Sequence, residues 1–318
     1  MDHPAYTLPV AQLLTYGEIA SDTSFDSLRA PWIDYVTTFG LTAADIPELI
    51  RLATDRKLFE RLAQEDEAPA ETDSTMWAPV HAWRALGQLH AHEAVAALIG
   101  IIGWDSDWVR LDLARVFALI GPVAIPSLIT ALGETTLYDM FDRLIAADAI
   151  GLIGKDYPNA REQCVAALVK QLEAYADQDE DFNGFLIINL VQLDAGEAAP
   201  TIEQAFMAEK VNEMISGDWE DVQVELHLIE PPPGYMSPEE RAEMFTDDLR
   251  KNFTFDADGN IEPVRIRELG MGASFPYVGA ESPFPRTPQS HSAASLPKHK
   301  KDKQKMAKAS RKKNRKKS

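Results

Sequence analysis

The sequence predicts an all-α fold, a right-handed α-α superhelix, on three observations. First, one helix-turn-helix pattern runs twice in succession between Trp77 and Leu132. Its copies superpose, with Ala82 on Leu113, Leu86 on Phe117, Leu89 on Ile120, Ala94 on Ala124 and Leu98 on Leu128. Second, apolar residues recur at i, i+4 and i+7, break off, and resume in a second apolar helix. Such a pair cannot bury its inner face without a neighbour. Third, hydrophobic residues make up 45% of 318, enough for a sizeable core shared along a stack.

Taken in order, residues 8–63 read as a degenerate N-terminal helical repeat. Residues 8–20 form a short helix. Pro31 sits in the first turn of a second, and Gly40 ends that helix in a left-handed conformation. Asp45 with Glu48 resembles a capping box, and Ile46, Leu49, Ile50 and Ala53 make the inner stripe of the helix that follows. Residues 64–75 are charge-rich without apolar periodicity, which predicts an acidic mobile loop.

Residues 76–228 form the repeat domain. After the two clear copies, a third has Ala146, Ile150, Ile153 and Gly154 in its first helix, then Pro158, then Val165, Leu168 and Leu172. A fourth has Leu186, Leu190 and Leu193, followed by Pro200 and Ile202, the proline falling where Pro126 falls in the second copy. Proline suits a first helical turn, where its missing N–H is not needed. From Asp218 a short helix closes the array. Residues 229–297 lose the pattern: Ser237 and Pro238 announce one helix over 238–251, residues 253–261 make a turn or small hairpin, and the Gly, Pro and Ser that follow predict an extended segment. Residues 298–318 form a Lys/Arg-rich tail with nothing to bury, hence disordered.

The net charge of -19 conceals an opposition. The tail carries 12 of the 31 basic residues and one acid, Asp302, which leaves the body near -30 and the tail near +11. Such a body repels polyanions, and the tail alone seeks phosphate or acidic surfaces. One cysteine, Cys164, excludes an internal disulfide framework and a cysteine-based zinc cluster, as suits a reducing cytosol. The start of the chain lacks the basic and apolar regions of a secretory signal. The greasiest stretch, Leu113 to Leu132, contains Arg115 and is broken by Gly121, Pro122 and Pro126, so it reads as two packed helices and no membrane span. A cytoplasmic location is expected.

Asp105-Ser-Asp-Trp-Val-Arg110, continuing to Ile120-Gly121, resembles the opening of HEAT-like repeats of the phycobilisome-lyase kind. The segments Trp77 to Leu86 and Gly217 to Leu226 are similar to parts of a bacterial family of HEAT-like proteins with no established activity. The resemblance implies a HEAT-like solenoid, and it implies that Asp107 and Arg110 tie successive turns together. It also admits an enzyme of the bilin lyase or isomerase kind.

Catalytic signatures are missing: no Gly-x-Ser-x-Gly, phosphate-binding loop or dinucleotide fingerprint occurs. His81, His90 and His92 lack a fixed metal spacing and read as solvated turn residues. The runs beginning at Asp177 and Asp256 open like calcium loops but have Ile188 and Arg267 where the bidentate Glu belongs. Cys164 lies on an apolar helix side as an inert small hydrophobe. No catalytic residue, metal or cofactor is assigned.

Trp77, Trp83 and Trp108 can form an aromatic anchor for a protein partner, with Asp105 and Asp112 making its surroundings negative and favouring a basic or amphipathic peptide. The rival reading of those tryptophans is core filling at helix ends. In the tail, Lys300, Lys301, Arg311, Lys312, Lys313, Arg315, Lys316 and Lys317 can neutralise RNA or ribosomal phosphates without reading sequence, or dock on the chain's own acidic body. The reading that emerges is a protein-interaction scaffold. Its alternatives are the lyase-like enzyme and an RNA-associated factor acting through the tail.

Overall fold

The structure is a computed structural model that describes residues 6–17, 32–62 and 74–237. The chain divides into two units, Met1–Asp248 and Leu249–Ser318, and the second lies wholly outside the described residues. So do the expected helix over 238–251, the turn over 253–261, the extended stretch to 297, the Lys/Arg tail and Pro31.

The described part of the first unit is all-α, with no strand among its residues. Its helices are α1 (Tyr35–Phe39), α2 (Ile46–Ala53), α3 (Arg56–Leu62), α4 (Ala78–Gln88), α5 (Val95–Ile99), α6 (Asp107–Ile120), α7 (Ile125–Gly133), α8 (Met140–Asp156), α9 (Arg161–Leu172), α10 (Glu180–Gln192), α11 (Ala199–Met207), α12 (Glu213–Ser216) and α13 (Trp219–Glu225). They pack in two rows. The first helices of each pair touch in sequence, α2 on α4, α4 on α6, α6 on α8, α8 on α10 and α10 on α12, and the second helices do the same from α5 through α7, α9 and α11 to α13. Every pair therefore covers its neighbour's apolar face, as the periodicity requires.

The equated core positions are interior. Ala82 and Leu113, Leu86 and Phe117, Ala94 and Ala124, and Leu98 and Leu128 are each sealed from solvent; Ile120 is buried and its counterpart Leu89 half-buried. In the later pairs Ala146, Ile150, Ile153, Leu168, Leu172, Leu186, Leu190 and Ile202 are buried too. Pro126 and Pro200 both stand second in their helices, α7 and α11. Ahead of α5, α7, α9 and α11 lies a short 3-10 turn, His92–Ala94, Pro122–Ala124, Pro158–Ala160 and Gly196–Ala198 respectively.

Gly121 ends α6 at φ +93°, where a side chain is strained, and a Cβ there would also crowd the Tyr157 ring at 3.0 Å. The chain bends by 111° between Asp107–Ile120 and Pro122–Gly133, the two-helix reading of the greasiest stretch. Among the described residues no single helix is long and apolar enough to cross a membrane.

The N-terminal region differs from expectation in detail. Residues 8–20 contain a 3-10 helix, Val10–Leu14, and no α-helix over the residues described. The helix expected from Pro31 starts at Tyr35, because the Asp34 carboxylate caps it by accepting from the Thr37 N–H at 2.8 Å; Gly40 does end it, at φ +67°. Asp45 pairs with Thr42 in place of Glu48, accepting from the Thr42 N–H at 2.8 Å. Glu48 instead reaches Thr7, whose N–H donates to it at 2.8 Å, and Arg51. Leu52 joins Ile46, Leu49 and Ala53 in the buried stripe, and Ile50 is only half-buried. Of the expected acidic loop, residues 64–73 are outside the described set, and Ser74 and Thr75 belong to a 3-10 helix, Ser74–Trp77.

Candidate functional site

The expected aromatic anchor is largely interior. Trp83 is fully buried, Trp77 is buried and Trp108 half-buried. Trp83 packs its ring against Phe59 of α3, which in turn meets Trp104, and Trp77 lies edge-on to Trp108 with centroids 5.1 Å apart. Large aromatic area is spent here on joining α3, α4 and α6. Trp77 and Trp83 thus offer a partner no surface.

Asp112 is likewise inside. Its two oxygens accept from Arg84 of α4, Nη2 to Oδ1 at 3.0 Å and Nε to Oδ2, and the Trp83 indole N–H donates to Oδ2 at 3.0 Å. A carboxylate so committed cannot colour a surface. Asp105 is exposed, and Arg110 donates to it at 2.9 Å and to Asp107 at 3.5 Å. The expected tie from Asp107 and Arg110 to the next turn is therefore a local cluster at the start of α6. Arg84 to Asp112 instead ties α4 to α6.

His81 is not a solvated turn residue but an interior residue of α4. It is sealed, its Nδ1 bonded to the Tyr35 hydroxyl at 2.8 Å and its Nε2 to the Gly17 carbonyl at 2.9 Å, and burial drops its pKa to about 4. His90 turns to the Leu119 carbonyl. Among the described residues no three His, Cys, Asp or Glu side chains converge as a metal site. Asp179 caps α10, accepting from the Asp181 N–H at 2.9 Å. Cys164 is sealed, and burial lifts its thiol to about 11.

What the structure brings together instead is one face of the first-helix row. The superposition that equates Ala82 with Leu113 and Ala146 carries Arg84 onto Arg115 and Asp148. On α4 this face is covered by the chain itself. The Gln88 carboxamide clasps the backbone of residues 33–35, its Nε2 donating to the Ile33 carbonyl at 2.7 Å and its Oε1 accepting from the Tyr35 N–H at 2.8 Å. The Trp32 ring lies 4.9 Å from the Arg84 guanidinium and 4.2 Å from that of Arg115. A short aromatic segment is thus held by a side-chain amide and two arginines.

Beyond Trp32, apolar side chains on α6, α8 and α10 reach solvent. Leu111 is 45% and Phe141 52% exposed, and Leu119, Leu152, Phe185 and Ile188 are half-buried. On α6 Leu111 and Leu119 flank Arg115 at four residues either side, on α8 Phe141 and Leu152 flank Asp148 at seven and four, and on α10 Phe185 and Ile188 are three apart, so each set aligns as a stripe. Sequence reasoning missed this face because it followed the tryptophans. Reading the residue classes at one superposed position would have found it.

No family model matches the chain, and no curated protein or solved structure does either. The geometry alone carries the functional reading.

Proposed function

We propose that the chain is a cytoplasmic protein-interaction module, a HEAT-like solenoid of helix pairs that holds a segment of a partner protein along the exposed stripes of α6, α8 and α10. The observation that supports it most is the clasp on α4. Beside the exposed stripes of α6, α8 and α10, residues 32–35 occupy the same row through hydrogen bonds between their backbone and the Gln88 carboxamide and through the Trp32 ring on Arg84 of α4 and Arg115 of α6. Exposed Leu and Phe aligned on consecutive packed helices otherwise cost solubility, and a partner that covers them recovers that burial.

Serine at Leu111 and Phe141 together tests the reading. Both side chains are about half exposed, so folding is retained, and the pair should abolish recovery of the partners that wild-type protein retains. Serine at Val123 and Ile129, exposed on the second-helix row at 48% and 39%, should change nothing. Equal recovery by all three proteins contradicts the assignment.

A further inference from the structure

Asp112 and Asp148, on the first-helix row, are satisfied differently. Asp112 has a cation of its own, Arg84. Asp148, at the middle of α8, has none: among the described residues its hydrogen-bond partner is the neutral Asn189 amide, which donates to Oδ1 at 2.8 Å. The Asn189 amide nitrogen also donates to the Phe185 carbonyl at 3.0 Å, and Asn189 itself is buried on α10. That position is possible only because residue 151 is glycine, since a Cβ there would lie 2.1 Å from Asn189 Oδ1. The carboxyl is therefore fixed in place by a side chain packed behind it.

Its other oxygen, Oδ2, has no partner among the described residues and is not sealed from solvent. Asp148 is half-buried, with Phe141 two turns before it and Leu152 one turn after it on the same stripe. Desolvation raises its pKa against the lowering effect of Asn189, and among the described residues no charged side chain offsets that. A desolvated carboxylate without a counter-charge is costly, and an opposite charge delivered by a ligand relieves that cost. Asp105, Asp107 and Asp139 are exposed at the starts of α6 and α8, the first two paired with Arg110, whose guanidinium lies 5.7 Å from the Phe141 ring.

Resting on the proposed interaction face, we infer that Asp148 is the anchor for a lysine or arginine side chain of the partner segment, and that the partner is a basic amphipathic peptide. Its apolar side chains lie on Leu111, Phe141, Phe185 and Ile188, and its cation meets Asp148 Oδ2 between them. Continuity with the α4 clasp, where cationic side chains and apolar contacts hold the chain's own segment, gives the pattern, with the sign of the anchoring charge reversed.

The test uses the full chain and two synthetic helical peptides of equal length, one of Leu and Lys and one of Leu and Glu, with binding read by fluorescence anisotropy at physiological salt. The Leu/Lys peptide should bind and the Leu/Glu peptide should not. Asp148→Asn, which keeps the shape and the bond to Asn189, should weaken Leu/Lys binding about tenfold or more, as loss of one desolvated charge pair does. Glu162→Gln, the same charge change at an exposed site on α9, should leave it within about twofold. Equal weakening by the two substitutions, or none by Asp148→Asn, overturns the anchor. If Leu111→Ser with Phe141→Ser still weakens binding in that case, the face survives without it. Failure of the wild-type chain to bind the Leu/Lys peptide overturns the partner class.

Discussion

Arg84 and Asp112 form a doubly hydrogen-bonded ion pair between α4 and α6, with both side chains under a tenth exposed. The Trp83 indole N–H adds a third bond to the same carboxylate, so the polar groups at this contact satisfy one another. Removing one member of such a pair strands the other. Asp112→Ala should cost about 3–5 kcal/mol in urea unfolding. Replacing both partners with Met and Leu should cost clearly less than either single truncation, which a double-mutant cycle reads directly.

His81 makes stability depend on pH. Its pKa is about 4 in the folded chain because of burial, against 6.5 as the unperturbed value. The folded state thus favours the neutral ring, and the unfolded state takes up the proton first. The contribution is complete above pH 6.5 and is lost progressively as pH falls to 4, by about 3 kcal/mol in all. His81→Gln should lower stability at pH 7.5 yet flatten its decline between pH 6.5 and 4, as followed by urea titrations at several pH values.

Gly151 reverses the usual sign of a helix substitution. Alanine in place of glycine in an exposed helix interior gains about 1 kcal/mol. Here the added methyl meets Asn189 Oδ1 at 2.1 Å and must displace the side chain that links α10 to Asp148. Gly151→Ala should destabilise by about 1–3 kcal/mol, with a lowered thermal midpoint as the readout.

Cys164 reports on opening of the stack. The thiol, on α9 and packed toward Gly154 of α8, is sealed, and its pKa is pushed up to about 11 by burial. Little thiolate exists at neutral pH. Reaction with an aromatic disulfide reagent should be negligible in buffer and should rise in step with global unfolding in urea. Rapid labelling of the native chain would contradict the packing of α8 on α9.

The rows of helices were legible because burial leaves a period. Leu86 and Phe117, or Leu98 and Leu128, must be apolar wherever they fall, and the prolines at 126 and 200 mark the same turn in two pairs. Pairing of polar groups leaves no such trace. Arg84 and Asp112 are 28 residues apart, and no spacing rule favours that pair over Asp107 and Arg110. Those two are neighbours on one helix surface and were expected to bridge turns. Trp83 and Asp148 show the same limit from opposite sides. A tryptophan in an amphipathic helix reads equally well as anchor or core, and Phe59, brought from α3, decides it. Asp148 looks like one solvated acid among many until Asn189 and Gly151 are seen to hold it.

Photo-crosslinking at single positions tests the interaction face most directly. A benzophenone amino acid placed at position 111, 141 or 185 should trap one common partner segment in cells, recovered as a discrete crosslinked band and mapped by mass spectrometry. The same group at 123 or 129, on the second-helix row, should trap none. A partner trapped through 123 or 129 and missed by all three face positions would contradict the account.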